Sequence, residues 1–353
     1  MEIKLDAEYE IRELIKNYKD IQYKRIRTYN SITNFVRDKI KPLIEKKGNK
    51  LVLPEGLGYL KWDNETLDTI YNTNKYSKIT DKILSGSIQF PYEITRLVWL
   101  AHRYIEFEKE VYDEIDAFSK EHKFRRLYLD KIKGVGAIAA SRIIAWLTPL
   151  SRFPNPSKLW KYTGWGMEAV CKKCGKVYLQ GESKQRWEEI LKRQKKDPDK
   201  YLCYCSNPDI EYVPQRKRRG ILMTYNPKLK DFFYVIADVF IRNKSRGSYY
   251  GQRYDVYKEE AKAKYPDWTD GHVRSYAIRK MIREFQTHIW MAWWMIMESR
   301  QPPANPYVID RMKHADLTYP VIDTVRPNFE LRSVDDVQAL YEIGGKKRKA
   351  IYR

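Results

Sequence analysis

Four cysteines offer the clearest chemistry in this sequence, because they form two close pairs. Two residues separate Cys171 from Cys174, and one residue separates Cys203 from Cys205. Zn²⁺ prefers four thiolates in a tetrahedron, and close pairs on two turns can supply them. The sequence therefore predicts a structural zinc site that is closed by its four ligands and has no catalytic role. Free thiols or a redox pair are the alternative.

A glycine turn between two apolar helical segments is the second motif, with Gly134 and Gly136 flanking Val135. Glycine permits a positive φ and a close backbone approach, and the amides that follow would lie at a helix N-terminus that favours an anion. The pattern predicts a helix-hairpin-helix that holds a DNA phosphate without reading bases; an ordinary helix joint with a glycine C-cap is the alternative. The residues expected around the phosphate are Lys131, Lys133, Gly134, Gly136, Ala137 and Arg142.

Two further segments are rich in cations. The segment after the cysteines lacks acidic residues, which favours phosphate contacts over a merely solvated face. Its candidate contacts are Arg216, Lys217, Arg218, Arg219, Lys228 and Lys230. The last long helix alternates cations with apolar residues, which predicts one buried and one basic face, with Arg279 and Lys280 as candidate phosphate contacts. Its tryptophans, Trp290, Trp293 and Trp294, are expected in the core rather than as a platform for stacked bases.

The overall charge points to a polyanionic partner. The chain has 353 residues and a formal net charge of +21, from 67 Lys and Arg against 46 Asp and Glu. Such an excess repels itself in the folded state, so we expect it to serve nucleic acid rather than an acidic membrane surface or an acidic protein. We find no run long enough to span a bilayer and no apolar signal core at the N-terminus. A cytoplasmic, nucleoid-associated protein is therefore expected.

Apolar spacing predicts a mainly α-helical fold. Residues 7 to about 45 form one predicted helix, and a second begins after Pro91 with heptad-like spacing. The two suggest either an antiparallel hairpin within the chain or a coiled coil that makes a homodimer. The expected domains are a long-helix region (1–124), a helix-hairpin-helix domain (125–300) with a zinc knuckle or ribbon inserted at 171–205, and an extension (301–353) with a basic tail. Strands should be minor outside the insert, and helices should resume from about Pro227 to Ser299.

No complete catalytic constellation is visible in the sequence. The five histidines form no metal-binding pattern, and we find no nucleophile elbow or phosphate-binding loop. The carboxylates are scattered among Lys and Arg, although those of a nuclease can lie far apart in sequence. We therefore predict no catalytic residue.

Several motifs follow one another in a recognisable order. An apolar-x-Gly-x-Gly hairpin at 132–136 is followed by Ser151-Arg152-Phe153 and by a Leu-x-x-Tyr-x-Gly segment at 159–164. After the cysteines come a basic stretch ending in Gly220, a helix start at 226–230 and closing helices near 254–261 and 277–282. In this order the chain resembles the C-terminal domain of the DEDD-type, bridge-RNA-guided insertion-sequence transposases, over about residues 125–170 and 215–300.

The chain departs from that family in three respects. Residues 1–120 contain no counterpart of its RuvC-like nuclease domain. The family's catalytic serine precedes the basic stretch, where this chain has Tyr212-Val213-Pro214-Gln215 and only Ser206 nearby. The cysteine insert also interrupts the domain. The resemblance thus implies a DNA-binding module related to half of a transposase, without strand transfer.

These observations predict a non-catalytic DNA-binding protein that grips the phosphate backbone with weak sequence preference and bridges or bends duplexes as a dimer. One alternative is a transposase or recombinase subunit that acts with a separate nuclease or through Ser206. Others are a structured-RNA-binding protein and a scaffold whose charge serves a protein partner.

Overall fold

The computed structural model describes most of the chain and divides it into two compact units, Met1–Ser119 and Lys120–Arg353. The described residues are 7–47, 50–53, 62, 64–72, 85, 89–178, 184–193, 195–206, 209–217, 223–303, 318–325 and 328–341. They are mainly helical, as predicted, with a few short strands. No helix among them combines the length and the apolar character that a membrane crossing requires.

The first unit contains two long helices. Its elements are α1 (Ala7–Phe35), β1 (Glu45–Lys47), β2 (Lys50–Val52), α2 (Asn64–Asn72) and α3 (Tyr92–Lys120). Helix α1 ends ten residues earlier than the predicted limit of about residue 45, and a π turn (Val36–Ile40) and a 3₁₀ turn (Lys41–Leu43) follow it. The helical stretch ends at the 3₁₀ turn that contains Pro42, because proline lacks a backbone donor and clashes with the preceding turn of an α-helix.

Contacts between α1 and α3 run in opposite sequence directions. The rings of Tyr18 and Tyr112 lie 6.5 Å apart, and Arg25 Nε donates to Glu108 Oε2 at 2.5 Å. Gln22 Nε2 donates to the other carboxylate oxygen at 3.1 Å. Contact positions therefore fall along α3 as they rise along α1. Burial, and then the Glu108 carboxylate, raise the pKa of Tyr18 to about 12.

The buried stripe of α3 lies one position further along the helix than the heptad pattern suggests. The expected seam positions, which are half-buried or exposed, are Leu97, Leu100, Tyr104, Phe107, Val111 and Phe118. The buried residues are Ile94, Val98, Ala101, Ile115 and Ser119. Apolar residues occupy both neighbouring stripes, so spacing alone left the buried one undecided.

The second unit carries the glycine turn, the cysteines and the last long helix. Its helices are α4 (Lys123–Leu127), α5 (Ala137–Leu147), α6 (Pro156–Thr163), α7 (Lys184–Arg193), α8 (Pro198–Tyr201), α9 (Pro227–Arg242), α10 (Tyr249–Lys264) and α11 (Asp270–Ile296). Short 3₁₀ turns occur at Leu129–Lys131, Leu150–Arg152 and Lys244–Arg246. Its strands are β3 (Met167–Cys171), β4 (Val177–Tyr178), β5 (Ile210–Pro214), β6 (Val321–Ile322) and β7 (Phe329–Glu330). The prediction that helices resume from Pro227 to about Ser299 is confirmed.

Three aromatic rings from three helices meet at the centre of this unit. Phe240, Tyr250 and Phe285 are fully buried, and their ring centroids lie 4.9 to 5.1 Å apart. Further along α11 the three tryptophans are buried at 3 to 7% exposure. The prediction that they belong to the core, and not to a stacking surface, is confirmed.

The described part of the predicted C-terminal extension belongs to the second unit. Asp323, directly after β6, is 1% exposed and connects two distant segments. Its carboxylate accepts from the backbone N–H of Lys133 at 2.7 Å and from that of Tyr249, at the start of α10, at 2.9 Å. Burial raises the pKa of Asp323, and the two amides act against that shift. The basic tail at 346–349 lies outside the described residues.

The Asp323 bridge predicts a stability loss. Asp323→Asn would place an N–H donor opposite one of the two backbone amides and leave that amide unpaired. We expect the free energy of unfolding to fall by about 1–3 kcal/mol in chemical denaturation. The control is Asp335→Asn, the same change at an exposed position of the same segment, which should cost less than about 0.5 kcal/mol. Equal effects of the two substitutions would contradict the bridge.

Buried His288 predicts a dependence of stability on pH. Its Nδ1 lies 2.9 Å from the Tyr250 hydroxyl, and burial lowers the pKa of His288 to about 3. An unfolded histidine binds a proton near pH 6.5, so its stabilising effect is present above that pH and is lost as the pH falls towards 3. The unfolding free energy should therefore fall more steeply in this window for the native chain than for His288→Gln, by up to about 1.4 kcal/mol per pH unit. Parallel pH profiles would refute this assignment.

Candidate functional site

The first cysteine pair lies on a tight turn between two strands. Strand β3 ends at Cys171 and is the central strand of a sheet in the order β4-β3-β5, antiparallel on both sides. Gly175 has a φ of +70°, and its amide donates to the Cys171 carbonyl at 2.8 Å. The amide of Cys171 donates to the carbonyl of Lys176 at 3.0 Å. The folded element thus runs from Met167 to Pro214, beyond the insert bounds expected from the cysteines alone.

The second pair comes to the same place from a different turn. Cys203 and Cys205 follow α8, whose N-terminus Asp197 caps, and Leu202 bridges to Val177 of β4. The sulfur atoms of all four cysteines lie within 4.8 Å of one another. A tetrahedral site with Zn–S bonds of about 2.3 Å has sulfur atoms roughly 3.8 Å apart, so the cluster fits one metal ion. None of the four cysteines is in a disulfide.

Local hydrogen bonds favour the thiolate form of Cys171. The backbone amide of Cys174 holds the pKa of the Cys171 thiol at about 7, whereas burial raises the pKa of Cys203 to about 12. A divalent cation would stabilise all four as thiolates, which is how metal binding and deprotonation are coupled. Lys172 and Lys173 are exposed on this turn, and Lys172 Nζ lies 3.4 Å from Asp209 Oδ1.

The glycine turn exposes the N-terminus of α5. Gly134 has a φ of +99°, and an added Cβ would lie 3.0 Å from the ring of Phe240, so this position requires glycine. Gly136 is the N-cap of α5, with φ −86° and no side-chain cap. It is exposed, and an added Cβ would contact nothing within 4 Å. The first amides of a helix have no partner within it, so those of α5 open onto this exposed cap.

The cations expected beside this turn differ in their surroundings. Lys131 and Lys133 are half-buried, and Lys133 Nζ donates to the Gly247 carbonyl at 3.4 Å. Arg142 packs over the ring of Phe232, 4.3 Å from its centroid, and its Nε is buried without a hydrogen-bond partner among the described residues. Burial lowers the pKa of Arg142 to about 10.

The basic segment after the cysteines is described only in part. Arg216 and Lys217 are exposed, whereas the expected contacts Arg218 and Arg219 lie outside the described residues. Lys228 is exposed in the first turn of α9. Lys230 is half-buried: its Nζ donates to the Gln215 carbonyl and lies 4.9 Å from the ring centre of Tyr225.

Two glycines hold the start of this segment against α6. Gly164 caps α6 at φ +79°, and a Cβ there would come within 2.5 Å of the Tyr225 ring. Gly166 donates its amide to Gln215 Oε1 at 3.1 Å, and Gln215 Nε2 donates to Thr224 Oγ1 at 3.0 Å. The sequence identified the glycines as a motif, but it gave no sign that they position Lys230.

Some cations on the basic face of α11 have a carboxylate partner, and others have none among the described residues. Arg274 pairs with Asp238 at 3.0 Å, and Lys280 pairs with Glu260 at 2.6 Å. Arg279, by contrast, has no carboxylate within 4.0 Å among the described residues and lies 5.6 Å from the ring centre of Tyr276. Lys280 is therefore a weaker candidate for a phosphate contact than its position in the sequence suggests.

The cysteine cluster predicts stoichiometric metal binding. Purified protein should contain one zinc ion per chain by elemental analysis, and Cys171→Ser should reduce this content to below about half because three thiolates bind zinc more weakly. Lys173→Ala is the control, since it changes an exposed side chain between two ligands and removes none of them. Equal metal content in the two variants, or none in the native protein, would contradict a zinc site.

Comparison with known proteins gives no indication of the function of this chain. The chain matches no protein-family model, no curated protein and no solved structure.

Proposed function

We propose that this chain is a non-catalytic DNA-binding protein that grips the phosphate backbone through a helix-hairpin-helix turn at Gly134–Gly136. The observation that carries the proposal is the exposed N-terminus of α5, which Gly136 leaves free of any side chain. A phosphate oxygen approaching this cap would accept from backbone amides that lack a helical partner, at the positive end of the helix macrodipole.

The surrounding turn is rigid enough to present those amides. Asp323 holds the amide of Lys133, and Ser248 Oγ donates to the Lys133 carbonyl at 3.4 Å. Val135 donates its amide to the Ile132 carbonyl at 3.1 Å, and Gly134 contacts Phe240 of the core. A loop that is already fixed loses little conformational entropy when it binds a phosphate, which favours such a contact.

The charge of the chain supplies the remainder of the proposed affinity. A net charge of +21 favours any polyanion, and each cation that neutralises a phosphate makes binding more sensitive to salt. The exposed or half-buried cations that we assign to phosphate contacts are Lys131, Lys133, Arg216, Lys217, Lys228 and Lys230. Contacts of this kind position a duplex without reading its sequence.

We assign a structural zinc ion to the four cysteines. Four thiolate ligands complete a tetrahedron and leave no open position for substrate, so the metal would hold the folded element together and take no part in a reaction. The mutual distances of the sulfur atoms and the turn at Gly175 support the assignment of zinc.

We also propose that the long helices form a hairpin within one chain, in preference to a dimerising coiled coil. The Arg25–Glu108 pair lies in the seam between α1 and α3, where a half-buried ion pair fixes the register of two helices. A homodimer would then use another face of these helices.

A role for Ser206 as a nucleophile receives less support. Ser206 is exposed, and its hydroxyl makes no hydrogen bond within the described part of the chain. A catalytic serine needs an adjacent base to remove its proton. We therefore do not assign strand transfer to this residue.

Substitution of Gly136 tests the proposal without disturbing the fold. Asp and Ser are both good N-caps, so Gly136→Asp and Gly136→Ser should keep the melting temperature of the native protein. The Asp carboxylate would repel a phosphate, so Gly136→Asp should weaken binding to a duplex about ten-fold or more in a mobility-shift titration, and Gly136→Ser less.

Two controls complete this experiment. Binding of DNA by the native protein should weaken steeply when the salt concentration is raised, and the strands should remain uncut when Mg²⁺ is added. Structured RNA is titrated in parallel. Equal binding by the two Gly136 variants would show that the glycine turn does not contact DNA. Cleaved strands would instead indicate a transposase or recombinase subunit. A clear preference for RNA would identify RNA, and not DNA, as the partner.

A further inference from the structure

Arg283 of α11 is held in place by its neighbours but keeps part of its donor capacity unused. Its Nε donates to the carbonyl of Trp165 at 2.6 Å, and its guanidinium lies 5.3 Å from the ring centre of Trp160. The indole N–H of Trp160 donates to the Arg283 carbonyl at 3.2 Å. Arg283 Nη2 is buried and has no hydrogen-bond partner among the described residues.

Arg279 lies one helical turn before Arg283, on the same face of α11. It is half-buried and has no carboxylate within 4.0 Å in the described part of the chain. Burial lowers the pKa of Arg279 and, to about 10, that of Arg283. The charge of Arg279 lowers the pKa of Arg283 further.

Lys230 adds a third cation to the pair from a different helix, α9. A Cβ added at Gly164 would lie 3.0 Å from Lys230 Cδ, and Arg283 Nε donates to the carbonyl of the next residue, Trp165, so Lys230 and Arg283 both lie against the turn that follows α6. Burial lowers the pKa of Lys230, and the charge of Arg279 acts in the same direction. Two acidic groups, Glu168 and Asp231, raise the pKa of Lys230.

Three half-buried cations with no ion-pair partner among the described residues are unfavourable in the protein alone. Each has lost part of its hydration, and each repels the next, while the faces of Trp160, Tyr225 and Tyr276 limit access of water. A tetrahedral anion would offset both costs, because it can accept from several donors at once. Arg274 and Lys280 on the same helix have carboxylate partners and do not need one.

We propose that Lys230, Arg279 and Arg283 together bind one phosphate group of a nucleic acid, either an internal phosphodiester or a terminal phosphate. This inference rests on the proposed function and gives it a second phosphate site, distinct in sequence from the hairpin. Gly164 and Gly166 keep Tyr225 and Gln215 close to α6 and thereby fix Lys230 within the site.

The test is a titration of inorganic phosphate at constant ionic strength, followed by thermal unfolding. The native protein should show a saturable rise in melting temperature, and Arg279→Gln should weaken the apparent affinity about ten-fold because it removes a charged donor from the site. Arg274→Gln is the matched control, the same change on the same helix at a cation that already has a partner. Lys230→Gln is a second variant on a different helix and should act like Arg279→Gln.

Oligonucleotides with a 5′-phosphate or a 5′-hydroxyl distinguish a terminal phosphate from an internal phosphodiester as the group that is bound. Tighter binding of the phosphorylated strand, lost in Arg279→Gln, would assign the site to a terminal phosphate. Equal weakening of both strands by Arg279→Gln would assign it to the backbone. No phosphate-dependent shift in the native protein, or equal behaviour of Arg279→Gln and Arg274→Gln, would overturn the inference.

The two proposals can fail separately. If Gly136→Asp weakens DNA binding while Arg279→Gln leaves phosphate and DNA binding unchanged, the hairpin proposal stands and this site does not. If the native protein binds no DNA but shows a phosphate shift that Arg279→Gln abolishes, the anion site stands and the DNA-binding function does not.

Discussion

Burial of the second half of α11 is the constraint on which the second unit depends. From Phe285 to Ile296 almost every side chain of this helix is buried, so it must be surrounded on all sides. Helices α4, α6, α9 and α10 and the 3₁₀ turn at Leu150–Arg152 all contact it. These segments carry or adjoin the glycine turn at Gly134–Gly136, the two glycines Gly164 and Gly166, and the basic residues. The requirement to cover one apolar helix therefore brings the candidate phosphate contacts into a single unit.

The first half of the same helix shows how the surface chemistry follows from this packing. Up to Arg283 the helix has one buried face and one polar face, and the latter carries four cations. Carboxylates from α9 and α10 pair with Arg274 and Lys280, and Lys280 also lies over the rings of Tyr257 and Tyr276. Arg279 and Arg283 lie over aromatic rings and have no ion-pair partner among the described residues. An aromatic face stabilises a cation but leaves its N–H donors available for an anion. Packing, and not the number of charges, thus selects the cations suited to bind phosphate.

The cysteine element has a different source of stability. Between Met167 and Pro214 the described apolar residues that are buried are few: Ala169, Val170, Cys171, Val177, Leu191 and Leu202. A segment of this size rarely buries enough apolar surface to fold alone, and a structural metal is a common remedy. The element also begins and ends on the paired strands β3 and β5, so its two ends meet at the sheet. It can therefore interrupt the helical domain without separating the parts on either side.

The sequence by itself determined the local features: the mainly helical character, the two long helices, the turn residues at Gly134 and Gly136, and the four thiol ligands. Each depends on neighbours within a few residues or on a residue type with one dominant use. Tertiary structure alone decided which stripe of α3 is buried, which cations of α11 have carboxylate partners among the described residues, and that Asp323 holds the glycine turn. Asp323 lies 190 residues after Lys133, and Lys230 packs beside Gly164 of a distant segment. Spacing along a chain cannot specify such contacts, because they depend on which surfaces meet once the apolar faces are buried.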